Sequence, residues 1–364
     1  MTRVTTKIPF SAIRFINDIP RLPDLQERLA QKLCGLRIEP DNPEAVRMNV
    51  AMTPRSYPEI SEADAGKIRR RAILYLERLR SSTGIEHLSQ RDRAMLAPLQ
   101  GGLPIARIVS EHEADEIAAA LHAEMPWMAS ATNLVWHGLR ASARASLPGL
   151  RFDPLVLVGS PGIGKSFWAR RLAYHLEVPT ATIDATGEPA AFSLVGAQRG
   201  WGSASTGKLI QTALRERRAG PIVIVDEVEK SGSVQSTRGT LHTLAEALLP
   251  LLERMTAKNW ECPYYQIRLD MSWVNWVLTA NSLKGMLDPL LSRCVVLDLP
   301  ELAVLQLLNF IEAQGTKRNL PKAAIDATSD AVSRSMAASS TPSLRTVSRM
   351  LDRVEFLVQK PVLQ

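Results

Sequence analysis

"LVLVGSPGIGKSFWARRL", residues 155–172, decides the fold. Leu155–Val158 is a short run of four apolar residues, the pattern of a buried strand. Gly159, Ser160, Pro161, Gly162, Ile163, Gly164, Lys165 and Ser166 follow, and they satisfy G-x-x-x-x-G-K-[ST]. From Phe167 onward the apolar residues recur at helical spacing. A strand, a glycine-rich loop and a helix in that order form a cradle for phosphate. The glycines let backbone N–H groups approach the anion, and the helix N-terminus adds a favourable dipole. Lys165 has the charge to neutralise β- and γ-phosphate oxygens, and the Ser166 hydroxyl is suited to ligate Mg²⁺, so the expected cofactors are ATP and Mg²⁺.

Sixty-one residues after Lys165, "PIVIVDEVEK" places Asp226 at the end of a second apolar run. A carboxylate there can hold the hydrated Mg²⁺. Glu227 follows and is the expected general base for the attacking water. "TATID", "WVNWVLTA" and "CVVLDL" add three more β-rich runs separated by helical segments. The pattern predicts an α/β fold with a parallel sheet wound with helices. After Pro300 the strand signals vanish, and "ELAVLQLLNFIEAQ", "PKAAIDATSDAVSRSM" and "SLRTVSRMLDRVEFLV" predict a small helical lid. Before the sheet, "DLQERLAQKL", a Ser61-capped helix, "EHEADEIAAALHAEM" and "ASATNLVWHGLRASARA" predict a mostly helical N-terminal region. The expected domains are 1–125, of unassigned role, 126–300 for the nucleotide-binding core and 301–364 for the lid.

Composition sets the frame. Of 364 residues, 45% are hydrophobic and 22% charged, the balance of a globular protein of two or three domains. No apolar run approaches the ~18 residues of a membrane span, and no secretory signal is visible at the N-terminus. Cys34, Cys262 and Cys294 are too widely spaced for a metal cluster and read as reduced thiols, so a cytoplasmic location is expected. The net charge is +7, and residues 1–130 contribute 18 Lys and Arg against 17 Asp and Glu. The densest basic stretch, "KIRRRAILYLERLR" at 67–80, reads as the solvated face of an amphipathic helix.

Later motifs narrow the class. "VLTAN" ends a strand at Asn281, "LDPLLSRC" presents Arg293 after a short helix, and "SLRTVSRML" puts Arg345 early in a C-terminal helix. The order Walker A, Walker B, sensor 1, arginine finger, sensor 2 resembles the AAA+ superfamily. Within it, "RGWGSASTGKLIQ", "LAEALLPLLE", "IRLDMSWVNWVLTAN" and "DPLLSRCVVLDL" are similar to the ATPase module of the Lon protease family, over about residues 126–355. The resemblance implies that Asn281 orients the lytic water, that Arg293 is offered to a neighbouring subunit, and that Arg345 reaches the nucleotide from the lid. It further implies a homo-oligomeric ring, a hexamer, acting on a protein substrate or complex. Asp270 and Ser272, just before the sensor 1 strand, also fit the Lon pattern.

The chain also departs from that family. No Ser–Lys peptidase domain and no large Lon substrate-binding domain are expected within its 364 residues. "VGAQRGWGSASTGKL", residues 195–209, places Trp201 between Gly200 and Gly202. In the Lon-like pattern this loop lines the ring's pore, where an aromatic residue with few rotatable bonds grips extended polypeptide. A Trp201 packed in a core is the competing reading. Two other functions stay open at this point: a DNA-associated AAA+ factor that tracks phosphates through the 67–80 helix or Arg199 and Lys208, and the motor half of a split ATP-dependent protease.

Overall fold

The computed structural model describes residues 4–16, 18–37, 60–187, 190–199, 204–231, 233–235, 241–337 and 342–359. They form two compact units, residues 12–94 and residues 1–11 with 95–364. In the first, the helices Leu22–Arg37 and Glu62–Ser81 pack together. Ser61 caps the second by accepting the Asp64 N–H at 3.2 Å. That helix buries Ile68, Ala72 and Leu76, a stripe of every fourth residue, while Lys67, Arg69, Arg70 and Arg71 are exposed. This is the solvated basic face expected from the sequence.

The second unit reaches further toward the N-terminus than residue 126. Strands β1 (Thr5–Ile8) and β2 (Leu103–Ala106) pair antiparallel, in a region where the sequence shows only helical signals. The Leu150 N–H donates to the Ala106 carbonyl at 2.8 Å. Ala114, Ile117 and Leu121, on the inner face of the helix Glu111–Glu124, share one core with Trp168 and Leu172. Residues 95–125 therefore group with the sheet rather than with the helices of 12–94.

Along this unit run β3 (Leu155–Val158), β4 (Thr180–Asp184), β5 (Ile222–Asp226), the hairpin β6 (Ser233–Gln235) and β7 (Leu241–Thr243), the short pair β8 (Trp260–Glu261) and β9 (Arg268–Leu269), β10 (Asn275–Ala280) and β11 (Val295–Asp298). Five of them form one parallel sheet in the order β11-β3-β10-β5-β4. They are the five runs read from the sequence. Continuous apolar stretches are what a sheet covered on both faces requires, and β3 and β10 are buried throughout. Alternate residues Leu155, Leu157, Ile222, Ile224 and Val277 join the same core as Trp168. The lid helices Val304–Lys317, Lys322–Ala337 and Leu344–Gln359 complete the unit, burying Leu307, Ile311, Val332, Val347 and Leu351.

Register does the positioning. Val158 lies opposite Ala280 and Asp184 opposite Asp226, so the carboxyl ends of β3, β10, β5 and β4 are nearly level. The residues that follow them emerge side by side at one edge of the sheet, where open α/β sheets bind ligands.

Trp168 anchors the helix after the glycine-rich loop. It is fully buried, and its indole N–H donates to Thr132 Oγ1 at 3.1 Å. Trp168→Ala should lower stability by roughly 3–5 kcal/mol, as for other large-to-small core truncations, measured as a shift of the urea midpoint at unchanged slope.

Candidate nucleotide site

The glycine-rich loop runs from Gly159 into the helix Lys165–Leu176. Gly162 and Gly164 have φ of +84° and +96°, a conformation that disfavours any residue with a Cβ. Behind the loop, the Gly159 N–H donates to the Ala280 carbonyl at 3.2 Å, and the Trp127 indole N–H donates to the Ile163 carbonyl at 2.9 Å. Ser160 Oγ donates to Glu301 at 3.3 Å. Pro161 and Phe167 line the open side, Phe167 half-exposed.

Lys165 is only 8% exposed. Its ammonium donates to the Gly159 carbonyl, to the Ser160 carbonyl at 3.2 Å and to Asn281 Oδ1 at 3.1 Å. Burial pulls its pKa below the usual lysine value, while the negative charges of Glu229, Glu227 and Asp226, in that order, oppose the shift. The Ser166 hydroxyl donates to Asp226 Oδ1 across 60 residues of sequence. Thr279 Oγ1 donates to the same oxygen at 3.1 Å and accepts the Glu227 N–H at 3.2 Å. Glu227 has φ of +56°, unusual for a residue with a side chain. Its Oε2 is paired with Lys230 Nζ at 2.8 Å, a contact that raises the Lys230 pKa.

These residues border an open cavity of about 810 Å³, which Arg345, Phe310 and Gln314 close from the lid. The Leu344 N–H donates to the Gly162 carbonyl at 3.0 Å, so the lid helix is bonded directly to the loop. The donor set fits a magnesium nucleotide. Ser166 and Asp226 are in contact at the place for the cation, and the acceptors of the Lys165 ammonium are two carbonyls and an amide, leaving its charge available to phosphate oxygens.

Arg293 lies elsewhere. It borders a separate depression of about 450 Å³ with Glu253, Arg254 and Cys294. Its guanidinium donates to the Pro289 carbonyl at 2.8 Å and meets Glu253 at 3.7 Å, and its Nε is buried with no hydrogen-bond partner among the described residues. Burial beside it pushes the Cys294 thiol up to about 12. Gly200, Trp201 and Gly202 lie outside the described residues. The flanks of that segment pair through Gly196 and Thr206, and the Ala197 N–H donates to the Ser205 carbonyl at 3.1 Å. Arg199 and Lys208, the candidate phosphate trackers, are engaged within the chain. Arg199 stacks on Tyr264 and donates to its carbonyl, and Lys208 donates to the Thr182 carbonyl.

Sequence reasoning missed Glu229, Thr279 and Trp127. Glu229 stood in plain view as the third acid of "DEVEK", and Thr279 as the first polar residue of "VLTAN". Trp127 gave no signal, because its partner is a backbone carbonyl 36 positions away.

Fold and site define a P-loop nucleotide-binding protein. Residues 155–299 match the family model "ATPase family associated with various cellular activities (AAA)", and the chain carries an AAA domain there. That domain is similar to the ATPase region of Lon proteases. The Lon protease of Chlamydia trachomatis serovar D is 34% identical over 151 residues, 42% of this chain and 18% of the relative. The peroxisomal Lon protease homolog 2 of Arabidopsis thaliana is 29% identical over 204 residues, 56% of this chain and 22% of the relative. The aligned segments thus span about a fifth of these relatives' length. Among solved structures, S. cerevisiae Hsp104 in its extended casein complex shares the fold with a TM-score of 0.50 at 15% identity, over 69% of this chain and 47% of that one. Among the described residues no helix is long and apolar enough to cross a membrane, and no cluster of three His, Cys, Asp or Glu side chains could hold a metal ion.

The bond between loop and lid is testable. A Cβ on Gly162 would lie 2.4 Å from the Cβ of Ser343, besides requiring a left-handed backbone. Gly162→Ala should cost about 1–3 kcal/mol of stability, read from urea unfolding, and should increase proteolytic cleavage of the lid helices.

Proposed function

We propose that this chain is an ATP-hydrolysing AAA+ motor that assembles into a homo-oligomeric ring, a hexamer, and remodels a protein or protein complex. One observation carries the reading: Lys165, Ser166, Asp226, Glu227 and Asn281 gather at one sheet edge, while Arg293 borders a different depression of the same chain. A hydrolytic site whose cationic finger faces elsewhere is completed by a neighbouring copy.

Mg²⁺ held by Ser166 and Asp226 would polarise the phosphate oxygens. Lys165 neutralises charge on the β- and γ-phosphates. Glu227 takes a proton from the attacking water as the water oxygen bonds to phosphorus and the bond to the ADP oxygen breaks. To do so its carboxylate exchanges Lys230 for the water. Arg345 binds the nucleotide from the lid, and Arg293 stabilises the charge that develops on the transferred group in the adjoining subunit. The similarity to Lon proteases supports a polypeptide substrate. So does the engagement of Arg199 and Lys208 with Tyr264 and Thr182, which leaves them poorly disposed to follow a nucleic-acid backbone.

Lys165→Ala should lose nucleotide binding, whereas Glu227→Gln should bind ATP without turning it over. Arg293→Ala should bind ATP and remain inactive, yet mixing it with Glu227→Gln subunits should restore part of the turnover, because some interfaces then pair an intact base with an intact finger. A wild-type rate per subunit independent of protein concentration, with no recovery on mixing, would sink the ring.

Trp201 is proposed as the residue that grips polypeptide in the pore, with Gly200 and Gly202 allowing the loop to swing. Trp201→Ala should keep its melting temperature and basal ATPase and lose stimulation by unfolded protein, and Trp201→Phe should retain most of it, since contact area carries the grip. A melting temperature that falls as for a core truncation would assign the indole to the interior instead.

A further inference from the structure

The Asn281 side chain lies between two charged groups. Its Nδ2 and its backbone N–H both donate to Glu229 Oε1, each at 3.0 Å, while its Oδ1 accepts from Lys165 Nζ at 3.1 Å. In general the two ends of an amide are hard to tell apart. Here the neighbours decide: an ionised carboxylate only accepts and an ammonium only donates. A single orientation satisfies both, with the nitrogen on Glu229 and the oxygen toward the phosphate cradle. Glu229 stands on the short 3-10 turn Val228–Lys230 that follows the catalytic base, and its Oε2 is buried with no hydrogen-bond partner among the described residues. Among the described residues, its Oε1 accepts both N–H groups of Asn281.

We infer that Glu229 is a positioning residue that locks the Asn281 amide with its oxygen facing the reacting centre, making Asn281 an acceptor for the attacking water rather than a donor to the phosphate. The inference rests on the ATPase reading above and adds the sense of this hydrogen bond. When phosphate oxygens draw the Lys165 ammonium away, Asn281 Oδ1 loses its donor and turns its lone pairs to a water O–H. The second O–H of that water points to Glu227, which takes its proton. With both hydrogens held, the water's lone pair is aimed at phosphorus. An Asn281 free to flip would present its NH₂ half the time and release the water.

The test exchanges the partners. In Asn281→Asp, two carboxylates face each other and the lock is lost. In the double variant Glu229→Gln with Asn281→Asp, the new amide donates from position 229, and position 281 again presents an acceptor oxygen to the centre. Glu229→Gln alone keeps an acceptor for the Asn281 N–H groups, whereas Glu229→Met keeps the length and removes it. Turnover, affinity for a fluorescent ATP analogue, and nucleotide-free hydrogen exchange of the peptide containing Asn281 are measured for each.

Glu229→Met and Asn281→Asp should lower kcat roughly ten- to hundredfold, the cost of a misplaced reactant, with analogue affinity within about threefold of wild type. Glu229→Gln should stay within about threefold of the wild-type kcat, and the exchanged pair should recover most of what Asn281→Asp loses. Amide exchange should rise in Glu229→Met and not in Glu229→Gln. Unchanged kcat in Glu229→Met, equal loss in Glu229→Gln, or an exchanged pair no better than Asn281→Asp would overturn the positioning role and leave the ATPase reading intact. If Glu229→Met fails to fold, Glu229→Gln and the exchanged pair decide alone. A wild-type chain that binds the analogue and never hydrolyses ATP would overturn both.

Discussion

A lysine ammonium that is 8% exposed is the constraint around which the sheet edge is arranged. Such a charge is costly to desolvate unless acceptors surround it. Here the acceptors are the Gly159 and Ser160 carbonyls and the Asn281 amide oxygen at the end of β10, and carboxylates from the end of β5 and the turn after it add favourable charge at longer range. Each depends on the strand register being correct to one residue, since a slip would turn every side chain to the opposite face. The apolar strands are thus the support of a polar site.

The same arrangement explains why the site is connected sideways as well as along the chain. Asp226 receives hydroxyls from Ser166 on the helix and from Thr279 on β10, and Thr279 in turn accepts the Glu227 N–H. β3, β5 and β10 are neighbours in space and far apart in sequence. A nucleotide bound at their ends would therefore be sensed by several elements together, with the left-handed Glu227 held between them.

Much of this was legible from residues alone. The five sheet strands could be read because each is a short β-rich run, with β3 and most of β5 unbroken apolar stretches of the kind double-sided burial requires, and the loop because glycine and lysine have few substitutes for its task. The β1–β2 pair was hidden because its partners are nearly a hundred residues apart and Pro104, inside the second strand, is a residue that strands disfavour. The grouping of residues 95–125 with the sheet was hidden for a related reason: helical periodicity shows that a face is buried and not what covers it. Of the site, Lys165, Ser166, Asp226, Glu227 and Asn281 could be named from motifs, whereas Glu229 and Trp127, which act through hydrogen bonds to Asn281 and to the Ile163 carbonyl, could not. Spacing records which groups are present. It does not record which oxygen an amide meets.

The bond from the Leu344 N–H to the Gly162 carbonyl makes the C-terminal helix a lever with its fulcrum on the phosphate loop. Its sixteen residues span about 24 Å, so a tilt of about 10° at the fulcrum carries the far end through roughly 4 Å. Phe356 and Leu357 sit there, largely exposed. Anything resting against them would be carried farther than the loop by such a tilt, in proportion to the length of the helix.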